Sequence, residues 1–159
     1  VSAVPRLLIK VLDAAIDPPS YAREGDAGLD LRSALDVCVP PGHRHTVPTG
    51  VAIAVPTGYV GFVVPRSGLA ARNGLGIVNA PGTIDSGYRG EIKVIVINHD
   101  SDHDIHLARG DRIAQLVVVP VSAVIVETVK DLPESQRGTE GLGSTGGIAQ
   151  WDTSLRKER

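Results

Sequence analysis

Glu91-Ile-Lys-Val-Ile-Val-Ile-Asn98 decides the fold. Three Ile and two Val in eight residues are stiff at χ1 and pack best on a pleated surface, so the stretch predicts a strand. Downstream, Asp100 to Asp104 is a polar turn, and Arg112 to Val119 and Val121 to Val129 read as two further strands. Upstream, strands are expected at Arg6 to Leu12, Gly28 to Ser33, Val37 to Val39, Val51 to Val55 and Tyr59 to Val64. Asp17-Pro-Pro-Ser20, Pro40-Pro-Gly42, Thr49-Gly50 and Pro56-Thr-Gly58 supply the turns between them. Strands at this spacing predict an all-β fold, a distorted jelly roll or β-sandwich-like barrel. One short helix is expected, with Ser67 capping Gly68 to Asn73 and Gly74 in the left-handed position behind it.

Composition agrees. The 159 residues suit one domain, and one Phe, one Trp, three Tyr and no Met leave Val, Ile, Leu and Ala to fill its core. Residues 1–134 read as a single β domain. Residues 135–159, glycine-rich to Gly147 and then polar, read as a flexible arm and tail that cannot bury enough surface to fold alone. A net charge of −2 argues against a general nucleic-acid binder but leaves room for a site for one small polyanion. Cys38 is the sole cysteine, so no internal disulfide can form. Neither a secretory signal nor a membrane span is read from the chain, and a cytoplasmic location is expected.

Five stretches carry candidate chemistry. At Arg66-Ser67-Gly68, free N–H groups at a helix start beside a guanidinium suit an anion, although a simple cap beside a surface Arg has the same sequence. Gly82 to Gly90 reads as a β-hairpin with Asp85 near its tip. A carboxylate held there can act as a general base, or merely bond its own turn. Tyr88 offers a flat face to a sugar or to a neighbouring strand. In Arg137-Gly-Thr-Glu-Gly-Leu-Gly-Ser-Thr-Gly146 the glycines let successive N–H groups converge on an anion, or mark a plain linker. Asp26-Ala-Gly-Leu-Asp30-Leu and Arg109-Gly-Asp-Arg-Ile-Ala-Gln115 complete the set. The five histidines lie in or beside turns, and no protein metal cage is expected.

Taken in order, these stretches, with the third extended through Glu-Ile-Lys93, resemble the five motifs of the trimeric dUTPase family. The resemblance implies a homotrimer with shared sites, and the charge and apolar pattern read above predict no nucleic-acid and no membrane partner. The resemblance also implies Mg²⁺-dependent hydrolysis of dUTP to dUMP and pyrophosphate, which keeps uracil out of DNA and supplies dUMP for thymidylate synthesis. By the same resemblance Asp85 is the general base, and Arg66, Ser67, Gly68 and Gln115 bind phosphates. Asn79, Thr83 and Ile84 belong to the uracil-reading hairpin, Tyr88 lies under the deoxyribose, and Lys93 is a nearby contact. Asp30 orders the site, and Arg137, Leu142, Gly143, Ser144 and Thr145 belong to the closing arm. Mg²⁺ would be held by substrate phosphates and water rather than by protein side chains. Leu142 stands where the family usually has an aromatic over the base, which predicts weaker binding or slower turnover. A dCTP deaminase-like enzyme of the same fold, or a non-catalytic trimeric β-sandwich module, are the alternative readings.

Overall fold

The structure, a computed structural model, describes residues 4–139. Ten strands and one helix follow one another as β1 (Leu8–Val11), β2 (Gly28–Arg32), β3 (Val37–Val39), β4 (Arg44–Ala54), β5 (Tyr59–Pro65), α1 (Ser67–Asn73), β6 (Leu75–Ile77), β7 (Gly82–Ile84), β8 (Glu91–Asn98), β9 (Ile105–Leu107) and β10 (Arg112–Pro120). They form two four-stranded sheets, ordered β1-β4-β8-β6 and β2-β10-β5-β7, and a two-stranded ribbon β3-β9. Every pairing is antiparallel. The fold is all-β and jelly-roll-like, as expected. The chain divides into two compact units, Val1–Ala123 and Val124–Arg159, and all ten strands lie in the first.

The deciding strand behaves as its sequence dictates. Ile92, Val94 and Val96 point inward and are buried, while Lys93 faces out. With Leu31, Val39, Val47, Val51, Ile113 and Leu116 they make a core of aliphatic side chains. Asn98 ends the strand fully buried yet satisfied. Its Nδ2 donates to the carbonyls of Val39 and His103, both at 2.8 Å, and its Oδ1 accepts from the Asp100 N–H at 2.8 Å.

Three local expectations are corrected. Arg44 to Ala54 is one strand with an irregularity, running through the turn expected at Thr49-Gly50 rather than beginning after it. Its register slips between Pro48, opposite Lys93, and Ala52, opposite Glu91. Pro48 has no N–H for the ladder, and Gly50 (φ 71) takes a conformation costly for any other residue. The Gly50 N–H donates to Glu91 Oε1 at 2.9 Å, and its carbonyl accepts from the N–H groups of Leu12 and Asp13.

Secondly, Gly82 to Gly90 is not a hairpin. β7 pairs with β5, whereas β8 pairs with β4 and β6, so the turn carries the chain from one sheet to the other. Thirdly, Val121 to Val129 forms no strand. The Val121 N–H bonds the Gly58 carbonyl at 2.9 Å, but Val124, Ile125 and Val126 are exposed. Apolar, β-branched content suits a strand, but a strand also needs an open edge, and this chain pairs none with that segment.

Candidate functional site

Two groups of expected site residues are built by the β2-β10-β5-β7 sheet, one at each end of β5. The first lies where β5 runs into α1. Register sets Asp30 opposite Gln115 and Gln115 opposite Val64, which brings the first, second and fourth motif stretches together. Asp30 is buried, and its backbone N–H bonds the Ser20 carbonyl at 3.0 Å. Its carboxylate holds Arg66 Nε at 3.2 Å, an Arg112 guanidinium nitrogen at 3.3 Å and Gln115 Nε2 at 3.5 Å. Two guanidiniums on one carboxylate leave net positive charge at this corner, aimed by a fixed anion. Gly28 lets Gln115 lie flat across β2, since a Cβ there would stand 3.1 Å from the Gln115 Cβ.

The helix start differs from expectation. Arg66, extended at φ −88 and ψ 120, is the residue before the first turn, and no side chain caps the helix. Ser67 is therefore the first helical residue and its hydroxyl makes no hydrogen bond among the described residues. Gly74 is left-handed (φ 67), as expected, and its N–H closes the helix on the Ala70 and Leu69 carbonyls.

The second group lies at the other end of β5. Ile84 is opposite Gly61, so Asp85 emerges beside Val60. The turn is fixed by the Tyr88 N–H donating to the Asp85 carbonyl at 3.0 Å and the Tyr88 hydroxyl donating to the Glu91 carbonyl at 3.0 Å. Gly90 leaves room for that ring, because a Cβ there would approach the phenol oxygen to 2.4 Å and displace it. Asp85 is exposed, and its carboxylate has no hydrogen bond or ion pair among the described residues. Thr83, Ile84, Asp85, Tyr88, Glu91, Ile92 and Lys93 line an open cavity of about 250 Å³. Asn79 sits beside this strand, its Nδ2 being 3.3 Å from where a Cβ on Gly82 would stand.

The chain does not unite the two groups. Val60 to Arg66 is extended backbone of roughly 20 Å at about 3.3 Å per residue, so Asp85 and Arg66 lie that far apart along β5. Of the arm, Arg137 lies in a turn, and the N–H of left-handed Gly138 (φ 52) reaches the Ser135 hydroxyl at 3.1 Å. Leu142, Gly143, Ser144 and Thr145 fall outside the described residues.

One cluster was missed by the sequence reading. Cys38, Asp104 and His106 offer ligand atoms that all lie within 4.8 Å of one another. His106 is a strand residue, and only the β3-β9 pairing, invisible locally, brings it to Cys38. Partial desolvation, then the Asp104 carboxylate, push the Cys38 thiol above its ordinary range.

These features define an all-β, jelly-roll-like protein with a cationic corner at one end of a strand and an exposed carboxylate cavity at the other. A family model described as dUTPase matches residues 14–146. The chain belongs to the dUTPase family. It is 60% identical over 128 residues to the deoxyuridine 5'-triphosphate nucleotidohydrolase of Leifsonia xyli, covering 80% of this chain and 84% of that protein. The Rhodococcus erythropolis protein of the same name is 55% identical over 147 residues, covering 92% of this chain and 90% of that one. Among solved structures, a mutant dUTPase of Staphylococcus bacteriophage 80alpha with dUpNHpp superposes at TM-score 0.82 and 30% identity, covering 89% of this chain and 99% of that chain. A mutant dUTPase of phage phi11 of S. aureus, described as coordinating a structural Mg(II) ion, superposes at TM-score 0.72 and 28% identity, covering 79% and 97%.

Proposed function

We propose that this chain, a dUTP diphosphatase by family, hydrolyses dUTP to dUMP and pyrophosphate with Asp85 as general base, in sites completed by neighbouring copies. The observation that carries the reading is an unpartnered Asp85 carboxylate beside a cavity walled by Thr83, Ile84, Tyr88 and Lys93. A carboxylate with its lone pairs free can accept a proton from water as that water attacks the α-phosphorus in line with the departing pyrophosphate. The backbone of Thr83 and Ile84, with Asn79, reads the uracil edge, and cytosine would leave those groups unpaired. Tyr88 packs under the deoxyribose and excludes a 2′-hydroxyl, and Lys93 contacts the substrate beside it.

At the other corner Arg66, Ser67, Gly68 and Gln115 bind the phosphates. Asp30 holds Arg66 and Gln115 in place, so their positions are set before substrate arrives. Residues 1–134 form the catalytic domain and 135–159 the arm and tail. Arg137, Leu142, Gly143, Ser144 and Thr145 would fold the arm over the triphosphate and exclude water.

Because the two corners lie roughly 20 Å apart in one chain, a site that uses both requires more than one copy, and a homotrimer with sites at its interfaces meets that demand. The apolar segment around Val124, Ile125 and Val126, exposed in the single chain, suits such an assembly. Among the described residues that line the Asp85 cavity, the one other carboxylate is Glu91, whose Oε1 accepts the Gly50 N–H. Mg²⁺ held mainly by substrate phosphates and water fits that donor set, and when bound it neutralises charge on the triphosphate. No helix among the described residues is long and apolar enough to cross a membrane, and we place the reaction in the cytoplasm. There it would keep uracil out of DNA and supply dUMP for thymidylate synthesis.

Hydrolysis of dUTP, dTTP, dCTP and UTP, each with and without Mg²⁺, tests the reading. Pyrophosphate release from dUTP alone, dependent on Mg²⁺ and reduced at least about a hundredfold in Asp85→Asn, is expected. Ammonia release from dCTP would instead mark a deaminase of the same fold, and no turnover of any nucleotide a binding module.

A further inference from the structure

We propose that Cys38, Asp104 and His106 form a binding site for a borderline divalent ion of the Zn²⁺ type, apart from the nucleotide chemistry. Register alone assembles it. Cys38 of β3 stands directly opposite His106 of β9, and Asp104, two residues before His106, shares its face. The alternate residues Val39, Ile105 and Leu107 turn inward and are buried, which forces the three potential ligands outward onto one solvent face. Cys38 Sγ is 3.5 Å from Asp104 Oδ2, and every ligand atom of the trio lies within 4.8 Å of the others.

Tetrahedral Zn²⁺ with ordinary Zn–S, Zn–N and Zn–O bonds needs ligand–ligand edges of roughly 3.4–3.6 Å. The Cys38–Asp104 edge already has that length, and a rotamer adjustment of about 1 Å by the exposed His106 ring closes the rest. One sulfur, one imidazole and one carboxylate leave the fourth position to water. His103 is outside the trio whose ligand atoms lie within 4.8 Å of one another. The donor set selects against Mg²⁺, which prefers six oxygens. Binding releases the thiol proton to solvent and clips β3 to β9.

Co²⁺, an optically visible stand-in for Zn²⁺, provides the test on the full-length protein without nucleotide. The expected result is a thiolate-to-metal charge-transfer absorption that saturates at one ion per chain and is displaced by Zn²⁺ but not by excess Mg²⁺. Cys38→Ser should abolish the band, and His106→Ala and Asp104→Asn should each weaken Co²⁺ binding at least about tenfold. The exposed His45 on β4 is the control, and His45→Ala should bind as the parent does. All four positions are exposed, so the variants keep the core intact. No band, a band with unchanged affinity in His106→Ala and Asp104→Asn, or displacement by Mg²⁺ on equal terms would each overturn the proposal.

Discussion

Replacing Asp30 by Asn keeps the shape of the side chain, removes its charge and turns one of its two acceptor oxygens into an N–H donor. In the parent, the buried carboxylate lies 3.2 Å from Arg66 and 3.3 Å from Arg112, whose side chains are 27% and 45% exposed. At an effective dielectric constant of about 20, each contact is worth roughly 5 kcal/mol of gross attraction, much of it cancelled by the cost of burying the anion. Removing one member of a buried pair ordinarily costs about 3–5 kcal/mol. Water can reach both guanidiniums here and recovers part of the loss, so about 2–3 kcal/mol is expected. Urea unfolding at one fixed protein concentration reads this as a lower midpoint with an unchanged slope. Salt should alter the difference little, because the carboxylate is shielded from bulk ions. On the proposed phosphate-binding role of Arg66, steady-state kinetics should show KM for dUTP rising more than kcat falls. A loss below about 0.5 kcal/mol would refute the claim that Asp30 organises this corner.

Asn98→Ala strips the buried Val39 carbonyl, and the partly buried His103 carbonyl and Asp100 N–H, of their Asn98 partner and should cost about 3 kcal/mol in the same unfolding assay. The Ala15 N–H, aided by Arg109, holds the Asp13 carboxyl below its ordinary value of 3.8. A carboxyl depressed in the folded state contributes stability above its unfolded pKa and loses it as pH falls through the folded value. Asp13→Asn should therefore flatten the acid limb of the stability–pH curve below about pH 4 and leave its shape near neutrality unchanged. Leu142→Phe should raise kcat/KM for dUTP severalfold, because base–aromatic stacking is worth about 1 kcal/mol; no gain would mean that position 142 does not cover the base.

Much of the architecture was legible because short runs of Val, Ile and Leu stand between turn signals. β8, β2, β3, β5 and most of β10 fall where that pattern predicts. The failures share a cause, which is that local sequence does not name a strand's partner. Asp85-Ser86-Gly87 signals a turn equally well inside a hairpin or between sheets, and here β7 had already paired with β5. Val121 to Val129 has strand composition without an edge to join, and His106 looks like a loop residue until β9 meets β3. Of the candidate site, Asp30, Arg66 and Gln115 do converge, because register sets Asp30 opposite Gln115. Asp85, Tyr88 and Lys93 converge separately on their own cavity. Ser67 was assigned to the cap because hydroxyl residues favour it, yet the extended backbone of Arg66 places the boundary one residue earlier.

The length of β5 makes the strand a spacer as well as a structural member. A chain can fold completely and still hold only fragments of a working centre, so thermal stability and turnover are separate readouts. Dilution should silence turnover more steeply than in direct proportion to protein, and two inactive variants crippled at opposite ends of β5 should restore one another when mixed.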